Sequence, residues 1–157
     1  MTDSRPVSVL FLCLGNICRS PLAEAAFRSE AGIAGLDVLV DSAGTSNWHI
    51  GKAPDKRAQA EALRHGVDIS RYAARQAVPE DFTRFTHIFA LDGNNLSDLE
   101  AIAPNEHDAH LSLLMDMVPG REGTGVNDPY YGGPEDFEET WADVSAAAQA
   151  LVRRLIG

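Results

Sequence analysis

The sequence predicts an α/β fold in which a four-stranded parallel sheet carries helices on both faces. Three observations lead there. Short apolar runs (VSVLFLC, LDVLVDS, HIFAL) alternate with stretches of helical periodicity, the signature of βαβ units. The first run is apolar at nearly every position, as in a strand covered on both sides. At 157 residues, 45% hydrophobic and 23% charged, the chain has the size and balance of one folded domain, spanning 1–157.

Taken in order, Val7–Cys13 is the first strand. A helix over Ser20–Glu30 follows, with Ser20 as N-cap, Pro21 at the first helical position and Glu24 in the first turns. Leu36–Ser42 is the second strand. Pro54–His65 is helical, with Ala58, Ala62 and Leu63 on one face and Gly66 as the stop. His87–Leu91 is the third strand, a helix covers Gly93–Ile102, and Leu111–Met115 is a short fourth strand. From Pro134 to Ile156, the spacing of Phe137, Trp141, Val144, Ala148, Leu151 and Leu155 makes one long amphipathic helix. The expected strand order is 2-1-3-4, a flavodoxin-like three-layer sandwich. Such sheets bind ligands beyond the carboxyl ends of their strands, beside strand one. Cys13 stands at that point.

The apolar run at the N-terminus is too short for a signal sequence or a membrane span, so a cytoplasmic protein is expected. The formal charge is −10 and lies mostly in the second half: residues 1–80 hold nine Lys/Arg and nine Asp/Glu, residues 81–157 four and fourteen. That balance disfavours nucleic acid and anionic membrane as partners. An anion site on this chain must act through short-range, preorganised contacts. The cluster Glu106, His107, Asp108 and His110 reads as a solvated loop, and two cysteines five apart cannot complete a zinc site. No metal or cofactor is expected.

The chemistry concentrates in CLGNICRS, Cys13 to Ser20. A compact loop between a strand end and a helix N-terminus can turn several backbone N–H groups toward one anion. Gly15 permits unusual backbone angles, Asn16 braces the loop, and the Arg19 guanidinium can grip two oxygens of a tetrahedral oxyanion. A thiol in such a field is favoured as thiolate, and a thiolate beneath a phosphate is a nucleophile. Ser20 can donate to the sulfur. The nearest nucleotide-loop text, GTSNWHIGK, has the wrong glycine spacing and Ala53 where a hydroxyl should be.

The stretch VLFLCLGNICRSPLAEAAF resembles the low-molecular-weight protein tyrosine phosphatases, and the similarity extends to DSAGTSNWHIG, ARQ, LDGNNLSDL and NDPYYGG. The resemblance implies Cys13 as nucleophile, Arg19 as phosphoryl-binding residue and Asp128 as general acid. It implies Leu14, Gly15, Asn16, Ile17, Cys18, Ser20 and Ser42 as the phosphate loop and its support. Leu14, Ile17, Trp48, Tyr130 and Tyr131 match the walls of the substrate slot. The implied substrate is a phosphotyrosine-containing protein, with inorganic phosphate as product and the enzyme a monomer or weakly self-associating.

Trp141 belongs to the core, whereas Trp48, amid Ser46, Asn47 and His49, suits stacking on a substrate ring. Two departures stand out. Tyr72 occupies the place where many relatives carry a loop-bracing histidine, and Ile17 replaces the threonine of the phosphoarginine phosphatases, favouring a flat aromatic substrate. Cys18 is either a small packing residue or a partner that traps oxidised Cys13 as a disulfide. Tyr130 and Tyr131 are candidate phosphorylation sites. Two other readings are an arsenate reductase of the same fold and a non-catalytic phosphotyrosine-binding module. The first needs further cysteines, and none follows Cys18. The second would have lost Cys13, Arg19 or Asp128.

Overall fold

The computed structural model describes residues 5–157. Its sheet has four parallel strands in the order β2-β1-β3-β4, as expected: β1 (Ser8–Cys13), β2 (Leu39–Gly44), β3 (His87–Ala90) and β4 (His110–Leu113). The helices are α1 (Arg19–Ala34), α2 (Lys56–Arg64), α3 (Asp81–Arg84), α4 (Gly93–Ile102) and α5 (Pro134–Ile156). No helix of the described residues is long and apolar enough to cross a membrane.

Every residue of β1 is buried, because the strand pairs on both edges and is covered on both faces. The side-chain alternation of a strand then sorts its residues between two cores. Val9, Phe11 and Cys13 face α1 and α5, among Leu22, Phe27, Val144 and Leu151, with Phe11 edge-on to Phe27 at 5.8 Å. Leu10 and Leu12 face the opposite layer, with Phe82, Phe85, Ile88 and Leu99. Cys13 ends β1 opposite Gly44 of β2, on the same side as the start of α1.

The α5 stripe is buried as its periodicity predicts, with Leu155 partly so, and Trp141 stacks on His65 at 4.6 Å. Four expectations need correction. Helix α1 starts at Arg19, and Ser20 does not cap it; the Ser20 hydroxyl turns to Cys13 instead. In α2 the buried face is Ala58, Glu61 and Ala62, the i, i+3, i+4 set of one helical face, while Leu63 at i+5 turns away and is 64% exposed. The glutamate is tolerated there because Arg64 and His65 both reach its carboxylate. The fourth strand ends at Leu113, and Leu114–Met117 winds into a 3-10 turn. The second strand runs from Leu39 to Gly44, three residues later at its start than the apolar run, since Leu36 and Val38 pack on the core from a loop. The short α3 was not anticipated; four residues carry no periodicity.

Leu22 is fully buried and Leu63 largely solvated, so alanine at the two positions separates core from surface. Leu22→Ala is expected to cost about 2–5 kcal/mol and Leu63→Ala about 0.5 kcal/mol or less, read as shifts in the urea midpoint.

Candidate active site

The segment between β1 and α1 is a loop folded around one sulfur. The backbone N–H of Asn16 points at Cys13 Sγ (3.3 Å), and Ser20 Oγ lies 3.0 Å from it. Asn16 adopts the left-handed conformation, φ 58°, which asparagine tolerates better than most residues. Its side chain explains why the strained turn persists. Nδ2 donates to Ser20 Oγ (2.8 Å) and to Ser42 Oγ (3.0 Å), and Oδ1 accepts from the Arg75 N–H (3.1 Å). Ser42 in turn gives its proton to Glu24 Oε1 at 2.7 Å. Ser20 therefore accepts from Asn16, leaving its own proton for the sulfur at 3.0 Å or the Ala43 carbonyl at 3.5 Å.

The loop is also tied along its backbone. Cys13 and Leu14 carbonyls accept from Thr45 and Ser46, and the Ile17 carbonyl accepts from Asp55. Gly44 lies so close beneath that a β-carbon there would sit 2.8 Å from the Leu14 carbonyl oxygen. No acidic residue occupies the first turn of α1, so the positive end of that helix faces the loop unopposed.

Arg19 is 3% exposed and anchored from behind: Nη1 donates to Asp92 (2.6 Å) and to the Val126 carbonyl (3.0 Å). Nη2 lies 3.7 Å from Asp128. Burial alone would lower the Arg19 pKa, yet it is raised, because Cys13, Asp92 and Asp128 all stabilise the cation. Cys18, by contrast, is buried among Asp55, Cys13 and Asp128, and its thiol is pushed up and held protonated. Both thiols are free.

A cleft of about 220 Å³ opens over the loop. Cys13, Leu14, Gly15, Ile17, Cys18 and Arg19 form its floor, and Trp48, Asp128, Tyr130 and Tyr131 its walls. Trp48 is 65% exposed and Tyr131 96%, an apolar rim that solvent does not otherwise explain. Asn16, Ser20 and Ser42 stand behind the floor, within the hydrogen-bonded network. All the residues singled out from the sequence thus converge on one cleft or its immediate support. An anion at the floor would meet a guanidinium, a helix N-terminus and a sulfur, with a carboxyl group at the wall.

Four participants were not singled out. Asp92 anchors Arg19, and it also caps α4 through the Asn95 N–H. His49 joins the cleft wall, its ring against Gly15. Asp55 and Arg57 join the loop to the opposite wall through contacts that spacing does not reveal. Glu24 read as a first-turn acid but is buried below the loop, between Ser42 and Arg28. Tyr72, partly buried, lines a small polar cavity with Glu24, Ser42 and Asn16, and burial pushes its phenol up to about 12. The position expected to alter the loop brace therefore holds a group that stays neutral.

Comparison with known proteins agrees with this geometry. The family described as low molecular weight phosphotyrosine protein phosphatase matches residues 8–156. The phosphatase of that name from Schizosaccharomyces pombe is 36% identical over 155 residues, covering 97% of this chain and 99% of its own. A low molecular weight protein-tyrosine-phosphatase of Streptomyces coelicolor is 45% identical over 149 residues, 92% of this chain and 90% of its own. Among solved structures, a protein tyrosine phosphatase from Entamoeba histolytica superposes with a TM-score of 0.90 at 33% identity, covering 96% of this chain and 97% of that one.

Burial raises the Glu24 pKa, against the opposing pull of Ser42 and Arg28. A carboxyl raised in the fold binds its proton more tightly there. Its contribution to stability is complete below its ordinary 4.5 and is lost as pH rises through the raised value. Urea unfolding of wild type and Glu24→Gln across that window should show wild type losing stability relative to the variant above pH 4.5. A difference of the opposite sign would mean that Arg28 outweighs burial.

Proposed function

The chain belongs to the low-molecular-weight phosphotyrosine protein phosphatases, and on that premise we propose that it hydrolyses phosphotyrosine in proteins, and small aryl phosphates, through a phosphocysteine intermediate. The observation that carries the reading is the convergence of Cys13, Arg19 and Asp128 on one cleft, with Asp128 3.7 Å from Arg19.

The substrate ring enters between Trp48, Tyr130 and Tyr131, and its phosphoryl group meets the floor. Arg19 and the loop N–H groups take the non-bridging oxygens, competing with Asp128 for the guanidinium and leaving that carboxyl to the bridging oxygen. Cys13 Sγ attacks phosphorus in line. The P–O bond to the ring breaks, its electron pair passes to the phenolic oxygen, and Asp128 gives that oxygen a proton. A phenol with a pKa near 10 is a poor leaving group without such a donor. In the second step Asp128, now ionised, takes a proton from water, the oxygen attacks phosphorus, and the S–P bond breaks. Inorganic phosphate and the Cys13 thiolate result. Charge on the transferring oxygens is met throughout by Arg19 and the loop amides, so each step is complete without a metal ion. Ser20 and the Asn16 N–H steady the sulfur as nucleophile and as leaving group. The apolar Ile17 side chain lining the cleft suits an aromatic ring better than a guanidinium.

Hydrolysis of p-nitrophenyl phosphate and of phosphotyrosine peptide in EDTA, from about pH 4.5 to about pH 8, tests this. Wild type should turn over both. Cys13→Ser should be inert, and Asp128→Ala should lose roughly 10²-fold or more on phosphotyrosine, the usual scale for a general acid. An active Cys13→Ser, or wild-type activity abolished by EDTA, would overturn the mechanism.

A further inference from the structure

Arg57 lies on α2, outside the phosphate loop, yet it touches each piece of chain that positions the acid. One edge of its guanidinium takes Asp55: Nε donates to Oδ1 (3.0 Å) and Nη2 to Oδ2 (2.9 Å). Its remaining protons reach across the cleft wall. Nη1 donates to the Gly132 carbonyl (3.0 Å) and Nη2 to the Tyr130 carbonyl (2.9 Å). The guanidinium carbon also lies 4.7 Å from the centre of the Phe137 ring, at the start of α5. Asp55 is fixed in its turn. Its carboxylate caps α2 through the Arg57 N–H (2.8 Å), and its own N–H donates to the Ile17 carbonyl (2.8 Å).

A continuous path therefore runs from Ile17 in the phosphate loop, through Asp55 and Arg57, to Tyr130 and Gly132. Asp128 is two residues before Tyr130, and its Oδ1 accepts the Tyr130 N–H at 3.1 Å. The other described hydrogen bonds of 128–133 are local: Gly132 N–H to the Pro129 carbonyl, Gly133 N–H to the Asp136 carboxylate, and Asp136 N–H to the Gly133 carbonyl. An exposed ion pair adds little to stability. What Arg57 supplies is geometry: a rigid planar fork that serves one carboxylate and two carbonyls at once, which a lysine cannot do.

We propose that Arg57, held by Asp55, is a positioning residue for proton donation, strapping the loop that bears Asp128 to the phosphate loop so that the carboxyl meets the leaving oxygen. This rests on Asp128 as general acid. A carboxyl displaced by about an ångström donates poorly, with losses reaching roughly 10²-fold. The loss must appear only where donation is needed.

The test compares kcat/KM for phenyl phosphate with that for 2,4-dinitrophenyl phosphate, whose acidic phenol departs as the anion unaided. Arg57→Gln, Arg57→Lys and Asp128→Asn are assayed beside wild type. For both Arg57 variants the expected result is a loss of about tenfold or more on phenyl phosphate and less than about threefold on the dinitrophenyl ester, the pattern of misplaced rather than missing chemistry. Retained turnover of the dinitrophenyl ester shows in the same sample that the phosphate loop is folded. Equal losses on both esters would make Arg57 a structural residue, and no loss on either would make it a surface ion pair; both overturn the proposal. If Asp128→Asn itself loses equally on both, the acid assignment falls and the strap with it. If Asp128→Asn is selective and the Arg57 variants are not, the strap alone falls.

Discussion

Asn16 is the residue on which the rest of the site depends. It holds a left-handed backbone turn that would relax in isolation, and it does so with its backbone N–H and both ends of its side-chain amide. The amide nitrogen faces the sulfur, the side-chain amide joins Ser20 and Ser42, and the side-chain carbonyl receives the Arg75 N–H. A left-handed non-glycine residue costs on the order of 1–3 kcal/mol, tolerable only where the surroundings over-determine it. Those surroundings are themselves fixed: Ser42 by its place in β2 and by Glu24, Arg75 by Asp41 and Asp81. The cradle is thus preorganised by chain elements that never touch a substrate.

Electrostatics follow the same logic of local over global. A chain with ten excess negative charges offers a phosphate no long-range welcome. Attraction is confined to the cleft, where one buried guanidinium and one helix terminus act at contact distance. The guanidinium survives burial because Asp92 pairs with it at 2.6 Å and the Val126 carbonyl takes another proton. Asp92 leaves Arg19 held in place before an anion arrives, so no side-chain ordering has to accompany binding.

Much of this was legible in the residue order. The apolar runs around Phe11 and Phe89 and the stripe from Phe137 to Leu155 are strong periodic signals, and α4 and α5 begin and end where they were read. The loop was legible because a glycine, an arginine and hydrogen-bonding side chains gather around one cysteine between a strand and a helix; of these Asn16 and Ser20 bond to each other and to the sulfur. What escaped detection has a common physical cause. Glu61 and Leu63 exchange sides because a nine-residue helix carries too few turns to set its face, and a buried acid partnered by Arg64 and His65 breaks the hydrophobic pattern. Ser20 looks like a helix cap because its type fits; only the nearness of Cys13 in space redirects its proton. Arg57 and Asp92 act across 73 residues each, to Tyr130 and Arg19, and single-sequence patterns carry no such distances.

The complete burial of β1 divides the site by how readily its parts come apart. Backbone amides in a strand paired on both edges exchange with solvent only when much of the molecule opens, whereas loops with exposed backbone open at small cost. The sulfur stands at the end of that strand, while Asp128 and Tyr131 sit on a solvent-facing loop. On the proposed mechanism, opening of that loop would withdraw the proton donor while the anion cradle stays assembled. The proposed mechanism thus assigns capture of the phosphoryl group and expulsion of the phenol to regions at opposite ends of the molecule's range of local stability, an arrangement that would let product leave without dismantling the apparatus for the next substrate.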